Sequence, residues 1–247
     1  MPVRKAALPR ETPEQQARRV RRIREVLQRL YPDPQIPLHH RSPFELLIAT
    51  ILSARCTDEM VNRVTPQLFA RFPTPHALAR ADLREVERLV RPTGFYRQKA
   101  RTIQATSRAL VDLCQGEVPP RMEELVKLPG VGRKTANVLF SAAEIEGWPG
   151  WPGIPQADGS GIVVDTHVAR LSQRLGLSAQ TDPEKIERDL MALVPPQEWG
   201  RFALRLILFG RQVCTARAPK CATCPLREVC PSAPYAGNPP WMRKDPR

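Results

Sequence analysis

Apolar residues in this chain recur every three to four positions and almost nowhere alternate, a pattern that favours helices and leaves little room for a sheet. Val20, Ile23, Val26, Leu27 and Leu30 form one such stripe, after Thr12 as N-cap and Pro13 at the first helical position. Ser42-Pro43-Phe44-Glu45 has the Ser-x-x-Glu spacing of a capping box and opens the run Leu46 to Leu52. That run is too apolar for a surface helix and is expected in the core. Further helical patterns cover about 58–71, 82–90, 96–113, 121–127, 132–143, 165–175, 183–193 and 197–210, separated by Pro, Gly or a capping residue. The expected fold class is all-α, with many short helices and tight connections. Across 247 residues this makes one or two domains. The stretch from Gly147 through Gly161 is rich in Gly and Pro and marks a candidate domain junction. Its two indoles, Trp148 and Trp151, are expected to pack the loop.

The charge balance narrows the partner. Lys and Arg number 38 against 25 Asp and Glu, a net charge of +13, which suits a polyanion, most simply nucleic acid. Charge by itself leaves DNA, RNA and an anionic membrane surface open. Arginine outnumbers lysine 31 to 7; the guanidinium fork matches phosphate, although a GC-rich genome also enriches arginine. No stretch approaches the roughly 20 apolar residues that span a bilayer, and the first residues lack the apolar core of a secretory signal. Met1 to Arg24 is basic, as a transit peptide is, but reads from Pro13 as an ordinary amphipathic helix. A soluble intracellular protein is expected.

Leu128-Pro129-Gly130-Val131-Gly132-Arg133-Lys134-Thr135-Ala136 joins a short helix to a longer one. Pro129 ends the first helix, and the two glycines are expected to take backbone angles closed to other residues. The amides around Val131 to Arg133 then open a helix, where geometry and dipole favour a phosphate. The nonamer between two helices is specific to the helix-hairpin-helix, a non-specific grip on a nucleic-acid backbone. Lys134 lies just inside the second helix. A surface lysine is the plain alternative, but the positive end of the helix dipole, with partial burial, favours the neutral and nucleophilic amine.

Asp165, in Val163-Val164-Asp165-Thr166-His167-Val168-Ala169-Arg170, is a good N-cap for the helix that follows. A carboxylate anchored there is also suited to stabilise a sugar that gains oxocarbenium character as its base departs. Both roles are compatible.

Six cysteines occur, and four of them crowd together as Cys214-x6-Cys221-x2-Cys224-x5-Cys230. In a reducing compartment a local group of this kind is a metal site rather than a disulfide framework. Zinc sites pair two close knuckles; here one close pair is flanked by wider, unequal gaps, and four thiolates without histidine suit a [4Fe–4S] cluster better than zinc. Arg217 and Lys220, between the first two cysteines, face either phosphates or water. Cys56 and Cys114 are expected to pack as small apolar residues, and His39 and His40 to face solvent.

These segments, in this order, resemble the endonuclease III family of helix-hairpin-helix DNA glycosylases. The likeness extends from Ser42-Pro43-Phe44-Glu45-Leu46-Leu47-Ile48-Ala49 and Leu52-Ser53-Ala54 through Leu128 to Asn137, Val164-Asp165-Thr166-His167 and the four cysteines. It implies a two-domain helical fold: a six-helix barrel with the hairpin over 36–146, and an iron–sulfur cluster domain formed by 1–35 and 147–247. It implies a monomeric bacterial enzyme, cytoplasmic and nucleoid-associated, acting on double-stranded DNA that carries damaged pyrimidines or abasic sites. By the same likeness Lys134 attacks C1′ of a flipped nucleotide, Asp165 assists base departure, and β-elimination through a Schiff base cuts the strand. Contacts to DNA are implied for Arg55, Asp58, Phe95 and His167, for Gly130, Val131, Gly132 and Arg133 in the hairpin, and for Arg217 and Lys220. Arg55 and Phe95 map onto the loops that fill the gap left by the flipped nucleotide. There the family pattern has Gln after Leu-Ser-Ala and Leu before Tyr, so opposite-base preference is not carried over by the likeness. The segment between Lys134 and Asp165 is also longer than the family pattern.

An adenine glycosylase of the mismatch-repair type lacks the lysine and carries a Glu where this chain has Ala49. A helix-hairpin-helix binding module without catalysis is the reading from another class, with Lys134 serving only as a phosphate contact.

Overall fold

A computed structural model of the chain describes residues 11–151, 159–239 and 241–242. Regular structure among them is helical: α1 (Pro13–Leu30), α2 (Pro43–Leu52), α3 (Asp58–Arg71), α4 (Pro75–Ala79), α5 (Leu83–Val90) and α6 (Tyr96–Cys114). These are followed by α7 (Met122–Leu125), α8 (Arg133–Glu146), α9 (Thr166–Arg174), α10 (Pro183–Leu193) and α11 (Trp199–Gln212). No helix among the described residues is long and apolar enough to cross a membrane. The chain divides into two compact units, Ile36–Ser160 and a second made from Met1–Gln35 with Gly161–Arg247.

The capping residues read from the sequence act as caps. Thr12 Oγ1 accepts from the Gln15 amide, and the Gln15 side chain accepts from the Thr12 amide, closing a full capping box on α1. Ser42 Oγ accepts from the Glu45 amide, but the expected box on α2 closes one residue upstream. The Glu45 carboxylate takes the Arg41 amide at 2.9 Å and the Arg41 guanidinium at 2.9 Å. The paired side chain satisfies a carboxylate that would otherwise be buried without a counter-ion. Helix α4 has no counterpart among the expected helices: Thr74 caps it and Pro75 starts it, but five residues are too few to show a period.

In the middle unit α2 packs against α3, α6 and α8. Leu46, Leu47, Ile48, Ala49 and Leu52 are wholly buried there. Each large side chain among them contributes about 1.5–3 kcal/mol through removal of apolar surface from water. The division between units falls at Ser160–Gly161, so the stretch that opens at Gly147 begins inside the middle unit. Trp148 and Trp151 meet edge to face at 5.3 Å, and Trp151 meets Phe140 at 5.2 Å, all against the core. His40 does not face solvent as the sequence suggests. Its ring lies 5.8 Å from Trp148, its Nε2 is 3.1 Å from the Glu146 carboxylate, and its Nδ1 is 2.8 Å from the Leu38 carbonyl. The packed indole leaves the imidazole no open side. Cys56 and Cys114 pack against the core, as expected.

In the other unit α11 packs against α1 and α9, and α9 against α10. Trp199, Phe202 and Phe209 fill the interior. Arg205 donates to the carbonyls of Tyr31 and Pro32, and Arg24 pairs with Glu198. Through these contacts α1 is fastened to α11.

Candidate active site and cysteine centre

The hairpin lies between α7 and α8. Gly130 has φ +74°, and a Cβ there would stand 2.2 Å from Thr102 Cγ2 on α6, so both the conformation and the space demand glycine. Thr106 Oγ1, also on α6, donates to the Pro129 carbonyl at 2.7 Å. Gly132 does not need its conformational freedom, contrary to the expectation for both glycines. It is the N-cap of α8 in an extended geometry, φ −98° and ψ 174°, open to any residue. It has no side-chain capping bond, and a Cβ added to it meets nothing within 4 Å. What its missing side chain provides is an open face over the start of the helix.

Val131 is buried beneath the hairpin and Arg133 is half-buried at the start of α8. Lys134, in the first turn of α8, is exposed and not partly buried as its position in the sequence suggests, because helical spacing turns it away from Ala136 and Phe140. Ala136, Leu139 and Phe140 of the same helix face the core.

Two loops of the same unit stand near the hairpin. Arg55, after α2, has φ 54°, and Phe95, before α6, has φ 47°, both left-handed without being glycine. Their side chains meet, with the guanidinium carbon 5.6 Å from the ring centre, a cation–π contact. Phe95 is 62% exposed, unusual for so large an apolar side chain. Arg55, Phe95, Lys99, Thr102 and Gly130 line one cavity of about 470 Å³ together with Thr50, Ile51, Ala54, Gln98 and Thr135. Asp58 opens α3 and is half-buried.

Asp165 and His167 belong to the other unit. An Asp165 carboxylate oxygen accepts from the Val168 amide at 2.8 Å and so caps α9, as its position predicts. His167 turns toward Arg170, whose guanidinium lies 3.2 Å from Nδ1. Burial holds this imidazole below its usual pKa, with Arg170 and Arg211 acting in the same direction and Asp165 against them.

The four clustered cysteines carry free, half-buried thiols. Burial pushes the Cys230 thiol up to about 11, with Cys214, Cys224 and Cys221 each adding to the shift, so all four lie within electrostatic reach. Among the described residues no three His, Cys, Asp or Glu converge closely enough to hold a single ion. Two cations support the loop: Arg174, 2% exposed, donates to the carbonyls of Thr215 and Ala216 and lies 3.4 Å from Cys214 Sγ. Arg170 donates to the carbonyls of Gly210 and Cys214. The Nε atoms of both are buried without a partner among the described residues. Four thiols without histidine, beside two cations with unspent donors, fit an anionic thiolate-ligated iron–sulfur group. Arg217 is exposed on the same loop and Lys220 is exposed beside Cys221.

Lys99, Arg170 and Arg174 are not singled out by the sequence. Each lies in a helical pattern where a cation normally faces water; only the position of Lys99 beside Ala100 and Ile103 on the inward stripe of α6 distinguishes it.

Residues 48–196 match the HhH-GPD superfamily of base excision DNA repair proteins. Fold and hairpin thus define a helix-hairpin-helix protein of base excision repair. Residues 214–230, from the first clustered cysteine to the last, match the iron–sulfur binding domain of endonuclease III. Endonuclease III of Synechocystis sp. is 52% identical over 84% of this chain and 90% of its own length. A non-covalent endonuclease III–DNA complex superposes with a TM-score of 0.78 at 42% identity, covering 89% of this chain and 97% of the solved one. A trapped endonuclease III–DNA covalent intermediate, an estranged-adenine complex, gives 0.76 at 44% identity over 87% and 97%. The chain belongs to the endonuclease III family. Its cofactor is a [4Fe–4S] cluster.

Proposed function

We propose that this chain acts as a monomer on duplex DNA, excising oxidised pyrimidines and cutting the strand at the abasic site, with Lys134 as nucleophile. It is a DNA glycosylase and AP lyase of base excision repair. The observation that carries the assignment is the placement of Lys134: an exposed amine in the first turn of a helix whose N-cap, Gly132, leaves the backbone open to a phosphate. A strand gripped there presents its sugar to the neighbouring side chain.

The damaged nucleotide leaves the stack first, since its sugar carbon is out of reach inside the duplex. The Lys134 amine bonds to C1′, the glycosidic bond breaks, and the base departs with the electron pair and takes up a proton. Asp165, its carboxylate fixed at the start of α9, stabilises the positive charge that develops on the sugar. Opening of the sugar ring gives a Schiff base between Nζ and C1′. Loss of a C2′ proton then expels the 3′ phosphate, and water releases the lysine. Arg55, Phe95 and Asp58 stand on the side of the gap, and Gly130, Val131, Gly132 and Arg133 hold the backbone. His167, Arg217 and Lys220 serve DNA from the other unit.

Cys214, Cys221, Cys224 and Cys230 hold the [4Fe–4S] cluster. When bound it cross-links the Cys214–Cys230 segment and so fixes the loop that carries Arg217 and Lys220. Arg174 keeps that loop in shape through its backbone carbonyls.

Borohydride trapping on a duplex with one abasic site or one thymine glycol tests the assignment. The wild-type protein is expected to give a covalent adduct whose mass maps to Lys134. Lys134→Gln should reduce the adduct to background with duplex affinity preserved, and an adduct undiminished in that variant would remove Lys134 from the mechanism.

A further inference from the structure

Helix α6 supports both the hairpin and the two loops of the middle unit. Lys99, Thr102 and Thr106 follow Phe95 at spacings of four, three and four, which is one face of the helix. Thr102 and Thr106 fix the hairpin. Lys99 reaches the other way: its Nζ donates to the Leu52 carbonyl at 2.8 Å and to the Thr93 carbonyl at 2.6 Å. Leu52 ends α2 three residues before Arg55, and Thr93 ends a 3₁₀ turn two residues before Phe95. One ammonium thus joins the roots of two loops whose tips meet in the Arg55–Phe95 contact.

The arrangement is costly for folding alone. Lys99 is only 5% exposed, and burial lowers its pKa, partly offset by Cys56. Apolar packing in its place would be no worse for stability. Arg55 and Phe95 hold left-handed conformations that are strained for residues with a Cβ and persist only where surroundings impose them. An exposed aromatic ring backed by a cation suits insertion into a base stack, where the ring covers a base and the cation approaches the backbone or a base edge.

We propose that Lys99 is a positioning residue for strand opening: its ammonium sets the spacing of the two loops so that Arg55 and Phe95 stand preassembled as a wedge for the gap left by the everted nucleotide. The proposal rests on the lesion-excision reading. Preassembly removes the cost of ordering two loops at the moment of insertion.

The test uses the iron-loaded full chain and a duplex with a tetrahydrofuran abasic analogue opposite 2-aminopurine, whose fluorescence rises when the wedge displaces it from the stack. Lys99→Met is expected to lose most of that rise at saturating protein. It should also slow single-turnover trapping on a true abasic duplex by about tenfold or more, the scale of a small misplacement of reacting groups. Lys99→Gln keeps donors for the carbonyls and should fall between; it carries the test if Lys99→Met does not fold. In a chain already carrying Arg55→Ala and Phe95→Ala, Lys99→Met should add no further loss, because residues acting through one another are non-additive. A full fluorescence rise in the folded Lys99 variant, or a further loss on top of the Arg55 and Phe95 changes, would overturn the proposal. A wild-type protein that forms no adduct overturns the functional reading and this one with it; a wild-type adduct with unchanged Lys99 variants overturns only this one.

Discussion

Asp165 closes the first turn of α9 through the Val168 amide whatever else its carboxylate does. Asparagine caps a helix about as well as aspartate, and alanine loses roughly 1 kcal/mol at such a position. Asp165→Asn is therefore expected to unfold at nearly the wild-type temperature while releasing thymine glycol slowly in single turnovers, and Asp165→Ala to be impaired in both. Equal melting of the two variants would deny the capping contribution; wild-type base release by the Asn variant would deny the chemical one. The capping position of Asp165 is legible because a cap acts within three residues of chain. Lys99 is not, since its bond to Leu52 spans 47 positions and nothing local predicts it. The same holds for His40, turned from solvent by a glutamate 106 residues away.

At the scale of the element, the hairpin separates two uses of glycine that the sequence presents as one. Gly130 meets a structural demand, a left-handed backbone tight against Thr102, whereas Gly132 leaves open space in an ordinary conformation. Gly130→Ala is expected to destabilise the protein by about 1–3 kcal/mol, as a strained φ and a close approach combine. Gly132→Ala is expected to change stability by less than about 1 kcal/mol, yet to weaken binding to an abasic-analogue duplex because its methyl enters the face offered to phosphate. Chemical denaturation and a binding titration on both variants decide the matter; the pattern reversed, with Gly132→Ala the unstable one, would contradict the geometry. Helices with a full stripe and a cap are readable from the sequence. Short α4 is not, and neither is the diversion of Glu45 to Arg41, which depends on which donor a buried carboxylate meets.

At the scale of the molecule, the net charge of +13 acts with the cations of the cysteine loop. Affinity for undamaged duplex should fall steeply with salt as bound phosphates release their counterions. Replacing Arg217 and Lys220 by alanine should flatten the dependence of log affinity on log salt by roughly one to two units, about one for each phosphate no longer neutralised. A slope unchanged from wild type would mean that both side chains only face water. The cysteine motif is legible because its ligands are close in sequence. The pairing of the two chain ends into one unit is not written in any local pattern, and only the family likeness implies it.

That pairing governs how the protein is made. The middle unit is one continuous segment and has all its residues once Ser160 leaves the ribosome. Val20, Ile23 and Leu27 emerge ahead of it but pack in a unit completed by α11 and the cysteine loop, so their apolar stripe waits until the whole middle unit has been made before it is covered. Helix α1 is synthesised before the middle unit yet finds its partner only after that unit is complete.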